Sequence, residues 1–239
     1  MSLPKIILLA GFLTSLGAET YHYTIYFWKI PCVHITMTIS DTGEARRTEL
    51  DFTTRTTKAF SYIFPVNSRY RTILDAQTFQ MLRYEKNVEQ PNLKQKLTIL
   101  WNAQQKVYQS DSIHYERPEG THNIFSLLLR ARSTDWESLD MQWWPMDHEG
   151  RFLKSRFLWV DSTEIDLDGE RHVTDHYRVD LIPGNSDAHL VDVTDVFTWG
   201  IGLEDCVRQI WIERGEERRI LRAEVKVKGF TLFAELDNE

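Results

Sequence analysis

The feature that most constrains this chain is a two-residue hydrophobic period that recurs along nearly its whole length. In the segment YHYTIYFW at 21–28, every odd-numbered residue is aromatic or aliphatic. Such alternation is typical of a β-strand with one buried face, because successive side chains point to opposite faces. Similar runs predict strands at 33–39, 50–53, 60–66, 70–74, 93–101, 152–160, 163–167, 172–182, 207–213, 218–228 and 230–236. The chain is therefore predicted to be mainly β.

Short turns between these runs predict antiparallel neighbours, and one segment departs from the period. Asp168-Gly169 is a dipeptide favoured in two-residue hairpins. The segment 123–132 instead holds a cluster of isoleucine, phenylalanine and leucine followed by two arginines, which favour the carboxyl end of a helix. We expect a single helix there, capped by Thr121 or Asn123.

These elements predict one fold class. About ten strands and a short helix indicate a single strongly curved antiparallel sheet, an open or partly closed β-barrel, with the helix covering one side. No linker or internal repeat supports two domains, so residues 19–239 are predicted to form one β domain. A curved sheet under a helix is expected to enclose an apolar cavity, which is a usual place for a ligand.

The N-terminus has the order of a secretory signal peptide. Lys5 precedes an apolar run at 6–16 that ends in small residues, and cleavage is expected after Gly17 or Ala18. Residues 1–18 are therefore predicted to direct export to the periplasm or cell envelope, and the alternative is a buried N-terminal element. The run is too short for a transmembrane span, which needs about 20 residues, and no second such run follows.

Net charge and cysteine content bear on which partners the chain can bind and on whether it forms a disulfide. The formal net charge is −7, with 28 basic against 35 acidic residues, which argues against nucleic-acid binding because no basic field attracts phosphates. Cys32 and Cys206 are the only cysteines. In an oxidising compartment they can form a disulfide, and the alternative is two buried free thiols. No cofactor is expected, since a chain of this length can bury a sufficient core by itself.

Motifs for catalysis or metal binding are absent. The sequence lacks the nucleophile elbow, the P-loop, the dinucleotide fingerprint and the zinc motifs. His172 and His176 would lie about 13 Å apart on a strand, too far to share a metal. No metal site is predicted, and catalytic residues stay unknown. Carboxylates that could perform acid–base chemistry are Asp147, Glu164, Asp166 and Asp175.

Tryptophan is the more unusual feature. The chain has eight, and Trp143 and Trp144 are adjacent in a polar segment. Neighbouring residues on an extended chain point to opposite faces, so one of the pair is expected to be exposed. Exposed aromatic rings bind sugars or acyl chains, and both tryptophans are therefore candidate ligand-binding residues. Core positions are predicted for Trp28, Trp101, Trp159 and Trp211, which lie within strand runs.

Four segments resemble a bacterial envelope family known as domain of unknown function 3108. They are YHYTIYFWKIPCVHITMTI, IFPVNSRYRTILDAQTF, NIFSLLLRARS and IWIERGEERRILRAEVKVKGFTLFAEL. The resemblance implies an exported, single-domain, largely antiparallel protein, and it transfers no catalytic residues. This chain has Pro31-Cys32-Val33 where the family usually has a glycine-containing turn. It has His122-Asn123 where the family has an Asp-Pro start to the helix.

Three function classes follow from these observations. The leading one is a non-catalytic binding or carrier module of the envelope that takes a lipid-like or saccharide ligand. The second is a glycan-acting enzyme that uses the carboxylates named above. The third is a structural envelope protein that pairs with a partner through a sheet edge. The sequence leaves the oligomeric state open.

Overall fold

The computed structural model describes residues 17–44, 46–186, 188–203, 205–227 and 229–237. Residues 1–16, which hold most of the expected signal peptide, lie outside this range. The strands are β1 (Glu19–Phe27), β2 (Ile30–Asp41), β3 (Arg47–Thr56), β4 (Asn67–Asp75), β5 (Met81–Gln90), β6 (Leu93–Asn102), β7 (Val107–Ser110), β8 (Ile113–Glu116), β9 (Trp143–His148), β10 (Arg151–Leu167), β11 (Glu170–Pro183), β12 (Cys206–Glu213), β13 (Ile220–Val227) and β14 (Phe230–Leu236).

All fourteen strands form one antiparallel sheet in the order β8-β7-β6-β5-β4-β3-β2-β1-β14-β13-β12-β11-β10-β9. Strands adjacent in sequence pair almost everywhere, and the pairing of β1 with β14 joins the N-terminal half to the C-terminal half, with Tyr23 opposite Leu236. The edge strands β8 and β9 do not pair, so the sheet curves into a barrel-like form without closing. This confirms the predicted fold class.

A short extended segment lies along the β9 edge. The amide of His122 donates to the Pro145 carbonyl at 2.9 Å, and the Asp147 amide donates to the His122 carbonyl at 2.8 Å. On its other side, the amide of Met81 donates to the Thr121 carbonyl at 2.9 Å. His122 therefore satisfies backbone groups of the edge strand β9 that would otherwise be exposed, and Thr121 ties the segment to β5.

The predicted helix is present as α1 (Ile124–Ser133). Asn123 is its N-cap: the side chain accepts from the Ser126 amide at 2.9 Å, and the Ser126 hydroxyl accepts from the Asn123 amide at 3.0 Å. This reciprocal capping explains why the helix begins here without an Asp-Pro sequence at its start. A second, one-turn helix that the sequence did not predict follows as α2 (Trp136–Leu139). No helix within the described residues is long and apolar enough to cross a bilayer.

Aromatic side chains fill the concave face of the sheet. Phe125 of α1 and Phe197, from the connection between β11 and β12, both lie against Phe52 and Tyr70, with ring centroids 5.2 to 5.5 Å apart. The expected apolar cavity is therefore occupied by the protein's own rings at this place. A large connection that folds back over the sheet buries more apolar surface than an open cavity would.

Three local predictions were wrong. The segment 60–66 is not a strand: Phe60–Tyr62 is a 3₁₀ turn, and Tyr62 is 83% exposed. Trp28 is not a core residue but is 74% exposed at the tip of the first hairpin. That turn consists of Trp28 and Lys29, both at positive φ as in a type I′ hairpin, whereas the first turn was expected near Pro31. The sequence also missed strands β5, β8 and β9, which have weak or short apolar alternation.

Candidate functional site

The two candidate tryptophans lie at a groove on the strands β9, β10 and β11. Pro145 of β9 is opposite Lys154 of β10, which is opposite Ile182 of β11. Two residues further along β10, Arg156 is opposite Trp143 of β9 and Asp180 of β11. Because the side chains of alternate residues share one face of a sheet, both rows lie on the same face. The groove has a volume of about 450 Å³ and is lined by Pro118, Trp143, Trp144, Pro145, Phe152, Lys154 and Ile182.

Trp143 combines an accessible ring with a row of charged groups. Trp143 is 42% exposed. The guanidinium of Arg156 lies 4.5 Å from the centroid of its ring. Arg156 also donates to Asp180 at 2.9 and 3.0 Å, and Arg178 donates to the same carboxylate at 2.9 Å. Burial alone would raise the pKa of Asp180, but hydrogen bonds from the two arginines hold it below its usual value.

Trp144 points the other way, as expected for its neighbour on a strand. Its ring meets Phe157 edge-on at 6.0 Å, and the guanidinium of Arg130 lies 5.4 Å from its centroid. Only part of Trp144 therefore reaches the groove, while Trp143 supplies the accessible ring. The sequence did not single out Lys154 or Arg156, because charged residues on a solvent-facing strand carry no signal by themselves.

The remaining predicted core tryptophans are half-buried. Trp101 and Trp211 pack against the cluster that contains Phe125, and Trp159 packs against a second cluster around Phe157 and Tyr177. None of these three borders the groove. Their apolar faces contribute to the core while their edges reach solvent, as is common for a side chain of this size.

The four candidate carboxylates do not converge. Asp147 is buried and accepts from Arg117 Nε at 2.9 Å, and burial raises its pKa to about 6 despite that pairing. Asp175 is buried and accepts from Arg214 Nη2 at 2.6 Å. Glu164 and Asp166 are exposed on β10. Each buried carboxylate has an arginine of its own, so this set provides no acid–base pair facing a common substrate position.

The two histidines have separate partners. His172 Nδ1 lies 3.0 Å from Glu213, and the His176 ring stacks on Trp211 with centroids 4.4 Å apart. Within the described residues, no three histidine, cysteine, aspartate or glutamate side chains form a group that could hold a metal ion.

The two cysteines are buried free thiols. Cys32 lies on β2 and its thiol donates to the Ile30 carbonyl at 3.1 Å. Cys206 lies on β12, and β1, β14 and β13 stand between the two strands in the sheet. Burial raises the pKa of both thiols, which favours the unreactive protonated form.

A buried polar cluster was missed entirely. Lys86 Nζ lies 2.6 Å from Glu149 and 2.8 Å from Asp195, and all three side chains are shielded from solvent. Tyr70 donates to Asp195 at 2.7 Å, and Thr194 donates to Glu149 at 2.9 Å. A signal was available: Lys86 occupies an inward position between Tyr84 and Val88 on β5. A lysine in that register is buried only if it is paired.

Comparison with known proteins places the chain in a family. The family described as protein of unknown function DUF3108 matches residues 22–235. No curated protein matches the chain. The crystal structure of a β-barrel-like protein of domain of unknown function DUF1849 from Brucella abortus is similar in fold, with a TM-score of 0.52. The two are 9% identical, and the similarity covers 92% of this chain and 94% of that one. The match over nearly all of the sheet shows that this chain belongs to the DUF3108 family.

Proposed function

We propose that this protein is an exported, non-catalytic binding module of the cell envelope and that its groove at Trp143 takes a saccharide. One observation carries the proposal: an accessible tryptophan ring lies beside the charged row of Arg156 and Asp180, with Lys154 in the neighbouring row. A sugar ring has apolar C–H faces that pack on an aromatic ring and hydroxyls that hydrogen-bond to charged side chains.

The shape of the groove favours a saccharide over a lipid-like ligand. An acyl chain is best held in an enclosed apolar cavity, but Phe125 and Phe197 occupy the concave face where such a cavity was expected. The groove at Trp143 is instead partly open to solvent. Asp180, the carboxylate in this row, is bound by two arginines, which supports binding over glycan hydrolysis.

Pairing through a sheet edge has less support. His122 already satisfies the Pro145 carbonyl and the Asp147 amide of β9, and the opposite edge strand β8 has only four residues. Short or covered edges are how sheets avoid pairing with other chains.

The test is a glycan array probed with the purified protein, followed by calorimetric titration of each glycan that binds. We expect Trp143→Ala to weaken affinity at least about tenfold, a change of about 1.4 kcal/mol. Trp28→Ala is the matched control, because Trp28 is an exposed tryptophan outside the groove. If the protein binds no glycan but binds a fluorescent fatty acid, the saccharide proposal is wrong and the ligand is lipid-like.

Export is tested separately. Residues 1–18 support it through the order of charge, apolar run and small residues. We expect N-terminal sequencing of protein from the envelope fraction to begin at Ala18 or Glu19. Recovery of chains that keep Met1 would contradict this.

A further inference from the structure

Exposed apolar residues concentrate at one end of the sheet. Because the strands alternate in direction, all connections that follow odd-numbered strands open at the same end. Among the described residues, sixteen large hydrophobic residues are exposed. Eleven of them lie in these connections or within two residues of them: Trp28, Ile30, Tyr62, Ile63, Phe64, Ile113, Ile182, Val193, Val196, Trp199 and Val207.

The most exposed of these residues belong to two neighbouring connections. Trp28 is 74% exposed, and Tyr62 and Ile63 are 83% and 77% exposed. Thr57, at the start of the second connection, is bonded to the beginning of β2 directly after the first one: its amide donates to the Cys32 carbonyl at 2.9 Å and its hydroxyl to the Pro31 carbonyl at 3.1 Å. We call this surface the apolar tip, and it consists of Trp28, Ile30, Tyr62, Ile63 and Phe64.

The charge of the apolar tip is opposite to that of the whole chain. Segments 27–34 and 55–66 contain Lys29, Arg55 and Lys58 and no aspartate or glutamate, although the chain carries a net charge of −7. None of these three cations forms an ion pair with any residue that the structure describes. The connection at 184–205 has exposed Asp192 and Asp205 and is therefore not part of this surface.

Trp28 is unfavourable in its position for two separate reasons. Its φ of 48° is in the left-handed region, which bulky residues rarely adopt, and its ring is largely in water apart from a contact with Phe27 at 5.2 Å. An asparagine or glycine would suit the turn better. A residue that costs stability both in its backbone and in its exposed surface points to a role outside the folded chain.

We propose that the apolar tip docks onto a lipid bilayer with anionic headgroups. Tryptophan and tyrosine prefer the interface between headgroups and acyl chains, and isoleucine and phenylalanine insert below it. Lys29, Arg55 and Lys58 complement the negative headgroups. Protruding tips also suit a bilayer, because insertion into lipid needs no matching pocket on a partner. This site is separate from the groove at Trp143, so it does not depend on the saccharide proposal.

The experiment is cosedimentation of the purified full chain with vesicles. Two compositions are compared: phosphatidylglycerol with phosphatidylethanolamine, and phosphatidylcholine alone. We expect binding to the anionic vesicles that weakens at least tenfold in the triple variant Trp28→Ser, Tyr62→Ser, Ile63→Ser. The variant Lys29→Gln, Arg55→Gln, Lys58→Gln keeps the apolar residues, and its binding to anionic vesicles should fall to the level seen with phosphatidylcholine. Trp143→Ala is the control and should bind like the wild type.

Several results would overturn the proposal. One is failure of the wild type to sediment with the anionic vesicles. Another is unchanged binding of both variants, which would place the contact elsewhere, for example in residues 6–16. A third is a wild-type dimer that the triple variant converts to a monomer in light scattering, without a change in vesicle binding, since a second copy would then cover the tip. Thermal melting shows whether each variant is folded, and the charge variant keeps the test decisive if the triple variant is not.

Discussion

Lys86 Nζ lies 2.8 Å from Asp195 Oδ2, and neither side chain is exposed to solvent. The pair connects β5, in the N-terminal half of the sheet, to the long connection between β11 and β12. Burial would raise the pKa of Asp195, but the charge of Lys86 and hydrogen bonds from Lys86, Thr198 and Tyr70 hold it below its usual value. The connection that fills the concave face is therefore held in place by ionic contacts as well as by Phe197.

Lys86→Met tests this contact. Removing the ammonium leaves Glu149 and Asp195 buried without their cation, which typically costs about 3 to 5 kcal/mol. Lys96→Met on β6 is the control, because Lys96 is exposed and its loss should change stability by less than about 0.5 kcal/mol. Urea unfolding followed by circular dichroism measures both. Equal stability of the two variants would show that the buried pair contributes nothing.

Asp147 predicts a dependence of stability on pH. Its pKa is raised to about 6 in the folded protein, mainly by burial, against 3.8 for an aspartate that is free in water. Between these values the folded state binds more protons than the unfolded state, so this group lowers stability as the pH rises from about 4 to 6. The slope approaches about 1.4 kcal/mol per pH unit. Asp147→Asn should remove this slope, whereas Glu164→Gln, at an exposed position, should keep it. Identical pH profiles for wild type and Asp147→Asn would contradict the assignment.

Helix α1 offers a matched pair of adjacent leucines. Leu127 is fully buried in the cluster around Phe157, whereas Leu128 is half-buried at its margin. We expect Leu127→Ala to cost about 2 to 5 kcal/mol because it leaves a cavity. Leu128→Ala should cost clearly less. Chemical denaturation measures the loss in free energy of unfolding for each variant. A larger loss for Leu128→Ala than for Leu127→Ala would mean that the helix packs with another face.

The cysteines give a chemical test. As buried thiols with raised pKa values, Cys32 and Cys206 should react with Ellman's reagent much more slowly in native protein than in urea. Two thiols per chain should react after unfolding. Protein purified from an oxidising compartment that shows no thiols in urea, and two after reduction, would contain the disulfide instead.

Strand β14 should be indispensable. It pairs with β1 on one side and with β13 on the other, so it joins the two halves of the sheet. We expect deletion of residues 230–239 to abolish soluble, cooperatively folding protein, because both neighbours lose their backbone partners and Leu236 leaves the core. A soluble product with the wild-type circular dichroism spectrum would show that the halves fold separately.

The sequence by itself determined the local elements. Alternation with a period of two identifies strands such as β1, β6 and β14, and the cluster after Asn123 identifies the helix, because these patterns depend only on which faces of a segment are apolar. The Asp168-Gly169 turn follows from its preference for positive φ. Antiparallel pairing of neighbours then leads to the barrel-like sheet.

Only the tertiary structure decided what those faces meet. The pairing of β1 with β14 is set by contacts between the ends of the chain, which no local pattern encodes. Lys86 became buried because Glu149 and Asp195 reach it from distant segments. The apolar residues Tyr62, Ile63 and Phe64 became exposed because no sheet neighbour covers them, although the composition of this segment is that of a strand. The groove at Trp143 likewise draws on three strands and on Pro118. Periodicity defines which side of a segment is apolar, and packing between distant segments determines whether that side is buried.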